Sequence, residues 1–365
     1  MLNFLKTNCA AMAFAALSAT SALAQATPAT YPAGYADLVA AAKKEGKVVV
    51  YSPTDSEQAN ALINAFQKKY PGVAVDYNDL SNTAIYNRVV SEFAARQVGG
   101  DVVWSVGLDL QVRLVEDGMA ERYASPEASN LPGFAKYKDS AYLTSIEPGV
   151  ILYNKRLVPA ALVPKNLADL TRLLKEHKDV FQGKVASWDP EKSGQGYVAM
   201  QDDMRHNPGF WPLMAAFGEA GGKIYSNSGQ MREKVVSGEE VIAFYVNGAY
   251  AAGWAKANPT LGIVYSDDRT SAVSRAALIT KNAPHPNAAK LLIDFMLSQE
   301  GQKAMGGAGL PSVRSDVEGV PNFKSLNELA NGKLQPIALD ATLLDNLDKT
   351  KRADFFSRWK QAMRR

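Results

Sequence analysis

Cysteine is all but missing: the 365-residue chain has one, Cys9. It lies in the opening stretch MLNFLKTNCAAMAFAALSATSALA, where one early cation, Lys6, precedes an alanine-rich apolar run. The run closes on Ala22-Leu23-Ala24, a small-x-small pattern before Gln25. Residues 1–24 are therefore expected to be an export signal that is cleaved. The lone cysteine leaves with it, which excludes a disulfide, a thiolate metal site and a cysteine nucleophile in what remains. Lipidation is not expected, since Thr7-Asn8 lacks the small apolar residues that precede a lipidated cysteine.

Histidine is nearly as scarce, with three. His177 falls in the charged LLKEHKD and His285 in the turn APHPN, and neither has a recognisable catalytic partner. DDMRH places Asp202 and His206 four apart on one helical face. Two ligands without an evident third read as a solvated face rather than a metal site. There is no G-x-S-x-G elbow, and Lys192-Ser193-Gly194 resembles one only superficially. Acid–base chemistry would have to rest on carboxylates, and no pair stands out. No enzyme, metal or cofactor is expected.

Long apolar runs and charge of one sign are absent too. Cys9–Ala24 is too short and too rich in Ser and Thr for a membrane span, and no later segment is long enough. Forty Lys and Arg face 37 Asp and Glu, interspersed along the chain. That balance argues against nucleic acid and against direct membrane insertion. KTKRADFFSRWKQAMRR, residues 349–365, is locally basic, but Phe355, Phe356, Trp359 and Met363 are spaced as an amphipathic helix capping the body. The product is expected to be exported to the periplasm as a soluble protein.

What is present is an alternation of short apolar strands with amphipathic helices. Helices are predicted over YADLVAAAKKEG, with Gly46 as C-cap, over 55–72 with Asp55 as N-cap, and behind Ser81. Strands are predicted at KVVVYS, VAVDYNDL and DVVWSV. The pattern resumes with GVILYNKRLV, KVASW, EEVIAFYVN, LGIVYSD and SRAALIT, then one long helix over 287–305. About 340 residues exceed the usual size of a single core, and the fold class is α/β with two lobes, each a mixed or mostly parallel sheet flanked by helices. The first lobe is expected over 25–147 and 276–312, the second over 148–275, and packed C-terminal helices over 313–365. Glu147–Gly149 and Ser274–Ala277 are the expected crossings, with Glu147-Pro148 a hinge.

Four strand-to-helix turns are small and rich in hydroxyls: Ser52-Pro53-Thr54 with Asp55, Ser81-Asn82-Thr83, Ser105-Val106-Gly107 and Ser193-Gly194-Gln195-Gly196. Capping explains each alone. Together on one cleft, backbone amides at helix starts and Ser and Thr donors would make an anion site. YSDDRTSAVSR adds Arg269 and Ser271; Arg269 either forks onto a carboxylate or phosphate or pairs with Asp267 or Asp268. Trp188 and Asp189 either meet a sugar or aromatic ring or belong to the interlobe wall. In VIAFYVNGAYAAGW, Tyr245 reads as a packed strand residue, while Asn247 and Tyr250 fall where a helix opens on the cleft.

The export signal, VVVYSPTDSEQANALINAFQKKYPGVAV, GVILYNKRLVP and AALITKNAPHPNAAKLLIDFMLSQEGQKAM together resemble the periplasmic solute-binding proteins of ABC importers. The resemblance is to the branch that contains the ferric-ion-binding and hexose-phosphate-binding proteins, and it spans residues 47–310. It implies a type II-like clamshell, monomeric, that captures a small solute between its lobes and delivers it to an inner-membrane ABC permease. Iron-binding relatives use a His after the first strand, an acid after the third and adjacent tyrosines after a second-lobe strand, a donor set suited to hard Fe(III). Here Ser52-Pro53-Thr54-Asp55 has no His, Val106 stands about where the acid is wanted, and Asn247-Gly248-Ala249-Tyr250 keeps one phenol. A small anion is the favoured ligand, a phosphorylated sugar or organic phosphate first and a small carboxylate next. A ferric ion, and a solute sensor feeding a signalling receptor, are the alternatives.

Overall fold

The computed structural model describes residues 31–364, so the expected export signal lies outside the described residues. Helix α1 (Tyr35–Glu45) stops at Gly46, whose φ of 76° lets its N–H reach the Ala42 carbonyl. β1 (Lys47–Ser52), α2 (Ser56–Lys69), β2 (Ala74–Asp79), α3 (Asn82–Ala95), β3 (Val102–Ser105) and α4 (Leu108–Glu116) then alternate. Two short strands, β4 (Lys136–Tyr137) and β5 (Ala141–Leu143), precede a crossing at residues 144–146.

The crossing delivers the chain to β6 (Glu147–Asn154) in a second sheet. There follow α5 (Leu167–Glu176), α6 (Lys178–Phe181), β7 (Val185–Trp188), α7 (Gly194–His206), α8 (Phe210–Glu219), β8 (Lys223–Tyr225) and α9 (Ser228–Ser237). β9 (Ile242–Asn247), α10 (Gly248–Ala257), β10 (Leu261–Val264) and β11 (Thr270–Val273) complete that region. Residues 274–275 return to the first sheet at β12 (Ala276–Ile279), followed by α11 (Pro286–Leu297) and α12 (Gln299–Gly307). The tail holds α13 (Phe323–Leu329), β13 (Leu334–Pro336), a 3-10 segment over Ala341–Leu347, and α14 (Lys349–Ala362).

The first sheet has the order β2-β1-β3-β12-β5-β4. β1 runs parallel to β2 and β3, which helical crossovers require, and β12 is antiparallel to β3 and β5. Val48, Val50, Val102 and Val103 are buried under helices on both faces, as parallel strands need. The second sheet runs β13-β11-β6-β9-β7-β8, with β10 also paired to β6. Each sheet has its own core, and a small third cluster of Ile146, Ala272, Leu326, Ala330 and Leu334 packs at the crossings. Two mixed sheets flanked by helices are the architecture the sequence predicts.

Four local readings change. The first crossing comes earlier than expected, because Glu147, Pro148 and Gly149 already pair with β11 and β9. The long helix over 287–305 breaks at Ser298, whose hydroxyl accepts the Gly301 N–H at 3.2 Å and restarts it as α12. Asp55 holds the N-cap position of α2 but makes no capping bond. The tail is not helical throughout. Its β13 joins the second sheet, Ile337, Leu339 and Leu343 fill the first core, and Phe355, Trp359 and Met363 fill the second.

Candidate functional site

The strand-to-helix turns of the two sheets face each other across the seam. On the first side, Ser81 caps α3 by accepting the Ala84 N–H at 3.3 Å. Ser105 Oγ accepts the Gly107 N–H at 3.0 Å and donates to Asn82 Oδ1 at 2.7 Å, which fixes the Asn82 side chain. On the second side, Ser193 caps α7 by accepting the Gly196 N–H at 3.1 Å. Gly194 is so close to Asn82 that a Cβ there would stand 3.2 Å from the Asn82 amide nitrogen. A side chain at this position would press the two faces apart.

Beside that contact is a cavity of about 350 Å³, within the range of small-molecule sites. Ser81, Asn82, Thr83, Gly107, Asp109 and Leu110 line it from the first lobe; Pro190, Glu191, Lys192, Gly194 and Tyr197 from the second; Leu347 and Arg352 from the tail. Glu191 is paired with Lys360 at 2.9 Å, and the Lys192 ammonium is 3.8 Å from the Asp189 carboxylate. Asp109 is buried, and desolvation pushes its carboxyl above the ordinary value, although the Leu110 N–H donates to it at 2.9 Å.

At the other end of the seam the charges are paired off. Arg275 follows the second crossing and is 3% exposed. Its Nε is 2.9 Å from Glu147 Oε1, its Nη1 donates to Thr54 Oγ1 at 2.8 Å, and its Nη2 donates to the Tyr250 oxygen at 2.9 Å. Glu147 also accepts from Ser145 Oγ at 2.7 Å and Asn247 Nδ2 at 2.5 Å, while Asn247 Oδ1 caps α10 through the Ala249 N–H at 2.9 Å. Ser52 Oγ donates to Thr54 Oγ1 at 3.0 Å and accepts the Thr54 N–H at 3.1 Å. Burial pushes the Tyr250 phenol up to about 12 against the pull of Arg275, so it stays protonated at neutral pH. The exposed Asp55 carboxylate acts electrostatically on both Tyr250 and Arg275. Sequence reasoning missed Arg275; its signal is a charged residue heading the apolar strand SRAALIT.

The remaining predicted residues go elsewhere. Arg269 pairs with neither Asp267 nor Asp268 through its side chain; its Nη2 donates to Asp202 Oδ2 at 2.7 Å, where Ser271 Oγ also donates at 2.7 Å. Asp267 accepts instead from Asn166 at 2.7 Å. Asp202 and Asp203 are buried while His206 is exposed, so the expected solvated face is solvated only at its histidine, whose Nδ1 lies 3.1 Å from Asp202 Oδ1. Among the described residues, no group of three or more His, Cys, Asp or Glu could hold a metal ion. Trp188 is buried, packs beneath Gly196, and donates its indole N–H to the Tyr245 carbonyl at 2.6 Å. Asp189 Oδ1 accepts the Glu191 N–H at 3.0 Å in the turn. Tyr245 sits at the β6–β9 bulge with φ 59°, a left-handed conformation that Tyr rarely adopts, and its phenol donates to Asp203. It is the packed residue the sequence predicts. Ser81, Asn82, Thr83 and Gly194 thus meet at the cavity with Ser105 and Ser193 behind them, whereas Ser52, Thr54, Asn247 and Tyr250 join the Arg275 network.

Two mixed sheets, two adjacent crossings and opposed helix starts around a small cavity define a two-lobe binding protein. The bacterial extracellular solute-binding protein family matches residues 61–331, and the chain belongs to that family. It is similar to the substrate-binding protein of an ABC transporter from Agrobacterium tumefaciens, at 33% identity, TM-score 0.80, covering 87% of this chain and 94% of that one. Iron-bound HitA from Pseudomonas aeruginosa shares the fold at 19% identity and TM-score 0.68, over 87% of this chain and 99% of that one. AfuA from Actinobacillus pleuropneumoniae, with exogenous fructose-6-phosphate bound, shares it at 18% identity and TM-score 0.68 over the same shares. A search of curated protein sequences finds no match. Family and structural neighbours are solute-binding proteins, not enzymes. The chain is a substrate-binding protein of an ABC transporter, which takes up a small ligand and delivers it to a membrane permease. Among the described residues, no helix is long and apolar enough to cross a membrane.

Proposed function

We propose that the solute is a small organic anion, a phosphorylated sugar or related organic phosphate before a small carboxylate, captured in the periplasm by a monomer. One observation carries this reading: the first turns of α3 and α4 from one lobe and α7 from the other line a single cavity together with Lys192 and Arg352. Helix starts present unpaired N–H groups and the positive end of the helix dipole, so they favour an anion. The cavity carboxylates are restrained, since Glu191 is paired with Lys360 and Asp109 is pushed toward its neutral form. The fold shared with fructose-6-phosphate-bound AfuA is consistent with this choice. A ferric ion fits less well, because the Tyr250 oxygen faces the Arg275 guanidinium, a fixed cation, at 2.9 Å. Closure is hinge motion at residues 144–146 and 274–275, with the solute biasing an open–closed equilibrium.

Thermal-shift titration against hexose 6-phosphates, small dicarboxylates and ferric citrate tests the reading. A ligand that binds only the folded state adds about 2.7 kcal/mol at a hundred times its Kd, so the melting temperature is expected to rise with an organic anion. A rise with iron alone, accompanied by a visible phenolate absorption band, overturns it.

A further inference from the structure

We infer that Arg352, carried on the C-terminal helix, is the side chain that grips the anionic group of the solute. This rests on the anion reading above and names a residue that the sequence places in a packing helix. Arg352 lines the cavity from the tail, opposite the first turns of α3 and α4 and beside that of α7. Its guanidinium carbon lies 4.4 Å from the Tyr197 ring centre and 5.0 Å from that of Phe356. Those two rings are themselves stacked, 5.5 Å apart at 15°. The Tyr197 hydroxyl donates to the Asn346 carbonyl at 2.9 Å, which anchors the platform to the tail.

Three of the cations nearby have partners, whereas Lys192 keeps only a 3.8 Å contact with Asp189. Lys351 pairs with Asp345 at 2.7 Å, Lys360 with Glu191 at 2.9 Å, and Arg205 donates to Asn346 Oδ1 at 2.7 Å. Among the described residues, Arg352 makes no ion pair within 4 Å; it lies against aromatic faces, and its charge acts on the Tyr197 phenol and the Asp109 carboxyl. Contact with the two rings restrains the guanidinium at the cavity wall without neutralising its charge. An edge of two parallel N–H groups fits a carboxylate or phosphate in fork geometry, which an ammonium cannot reproduce. The nearby Asp109 carboxyl is buried; desolvation pushes its pKa up while the Arg352 charge pulls it down, and no ion pair within 4 Å joins the two.

Isothermal titration of the full chain tests the assignment, using wild type, Arg352→Gln and Arg352→Lys. The probes are glucose 6-phosphate and succinate, with glucose as the neutral control, and unligated melting temperatures are recorded in parallel. Wild type is expected to bind at least one of the two anions. Arg352→Gln should lose roughly tenfold to a hundredfold in affinity for it, the range of a charge-assisted hydrogen bond. Arg352→Lys should recover part of that loss. The unligated melting temperature should move by about 2 °C or less, since the stacking contribution is small. Wild-type affinity in Arg352→Gln overturns the inference and leaves the anion reading standing. A wild type that binds neither anion overturns both.

Discussion

At the hinge end of the seam, Arg275 is buried and its guanidinium meets Glu147, Thr54 and Tyr250 at 2.8–2.9 Å. At the cavity end, Arg352 lies against the rings of Tyr197 and Phe356 and makes no ion pair within 4 Å among the described residues. The two arginines carry the same charge and differ in how far the fold has already committed it. A buried ion must be paired within the fold, or its lost hydration goes uncompensated. A half-buried one keeps part of its hydration until a ligand replaces the water. Thr54, Asn247 and Tyr250, all sequence candidates for the ligand, are joined to Arg275 and Glu147 in the network that spans the lobes.

The largest test of this contrast is Arg275→Met. It strands Glu147 in the interior without its cation, and the expected loss is about 3–5 kcal/mol in urea unfolding. Adding Glu147→Gln to the same chain should return much of it. A single-variant loss below about 1 kcal/mol would mean that Arg275 is no more committed than a surface residue. Next comes Asp294, a buried carboxylate that meets hydroxyls rather than a cation: Tyr35 at 2.9 Å, Tyr123 at 2.6 Å and Ser125 at 2.6 Å. Burial pushes it up to about 6 despite those bonds. Its folded-state pKa is above the unfolded one, so the native state binds the extra proton between the two values, and stability falls as pH rises through that window. Asp294→Asn should flatten the slope between pH 4 and pH 6 in denaturation curves and gain on the order of 2 kcal/mol at pH 8. An unchanged slope would place the titration elsewhere. The smallest effect belongs to Gly194→Ala, whose Cβ would stand 3.2 Å from Asn82. Interlobe closure should weaken about fivefold in solute affinity, roughly 1 kcal/mol, with the unligated melting temperature unchanged. Full affinity would show that the lobes need not meet at this point.

Much of the fold was legible because its signals are local. The apolar runs KVVVYS and DVVWSV, the Gly46 stop and the Ser81 cap each act within a few residues of themselves. β11 and β13 have four and three residues, too few to show an alternation, and they become strands by pairing, β13 with β11 and β11 with β6. Ser298 was hidden because α11 is buried without a break from Leu291 to Leu297, so no change of apolar period marks where α12 begins. In the site, hydroxyl-rich helix starts were readable as such, but charge pairing was not. Arg269 passes over two adjacent aspartates for Asp202, sixty-seven residues away. Arg352 was indistinguishable from Lys351 in a basic stretch, and only the packing of Phe355 and Trp359 turns one toward the cavity and leaves the other at the surface.

The tail's path over both cores bears on the order in which the molecule becomes competent. Synthesis has completed the thirteen strands of the described residues by Pro336, yet Leu347 and Arg352 of the cavity wall, and Phe355 and Trp359 of the second core, are still to come. A chain cut short after that proline would contain every strand described here and lack one wall of the proposed solute cavity. Solute binding stabilises only what can bind it, so the cargo itself favours finished copies over interrupted ones.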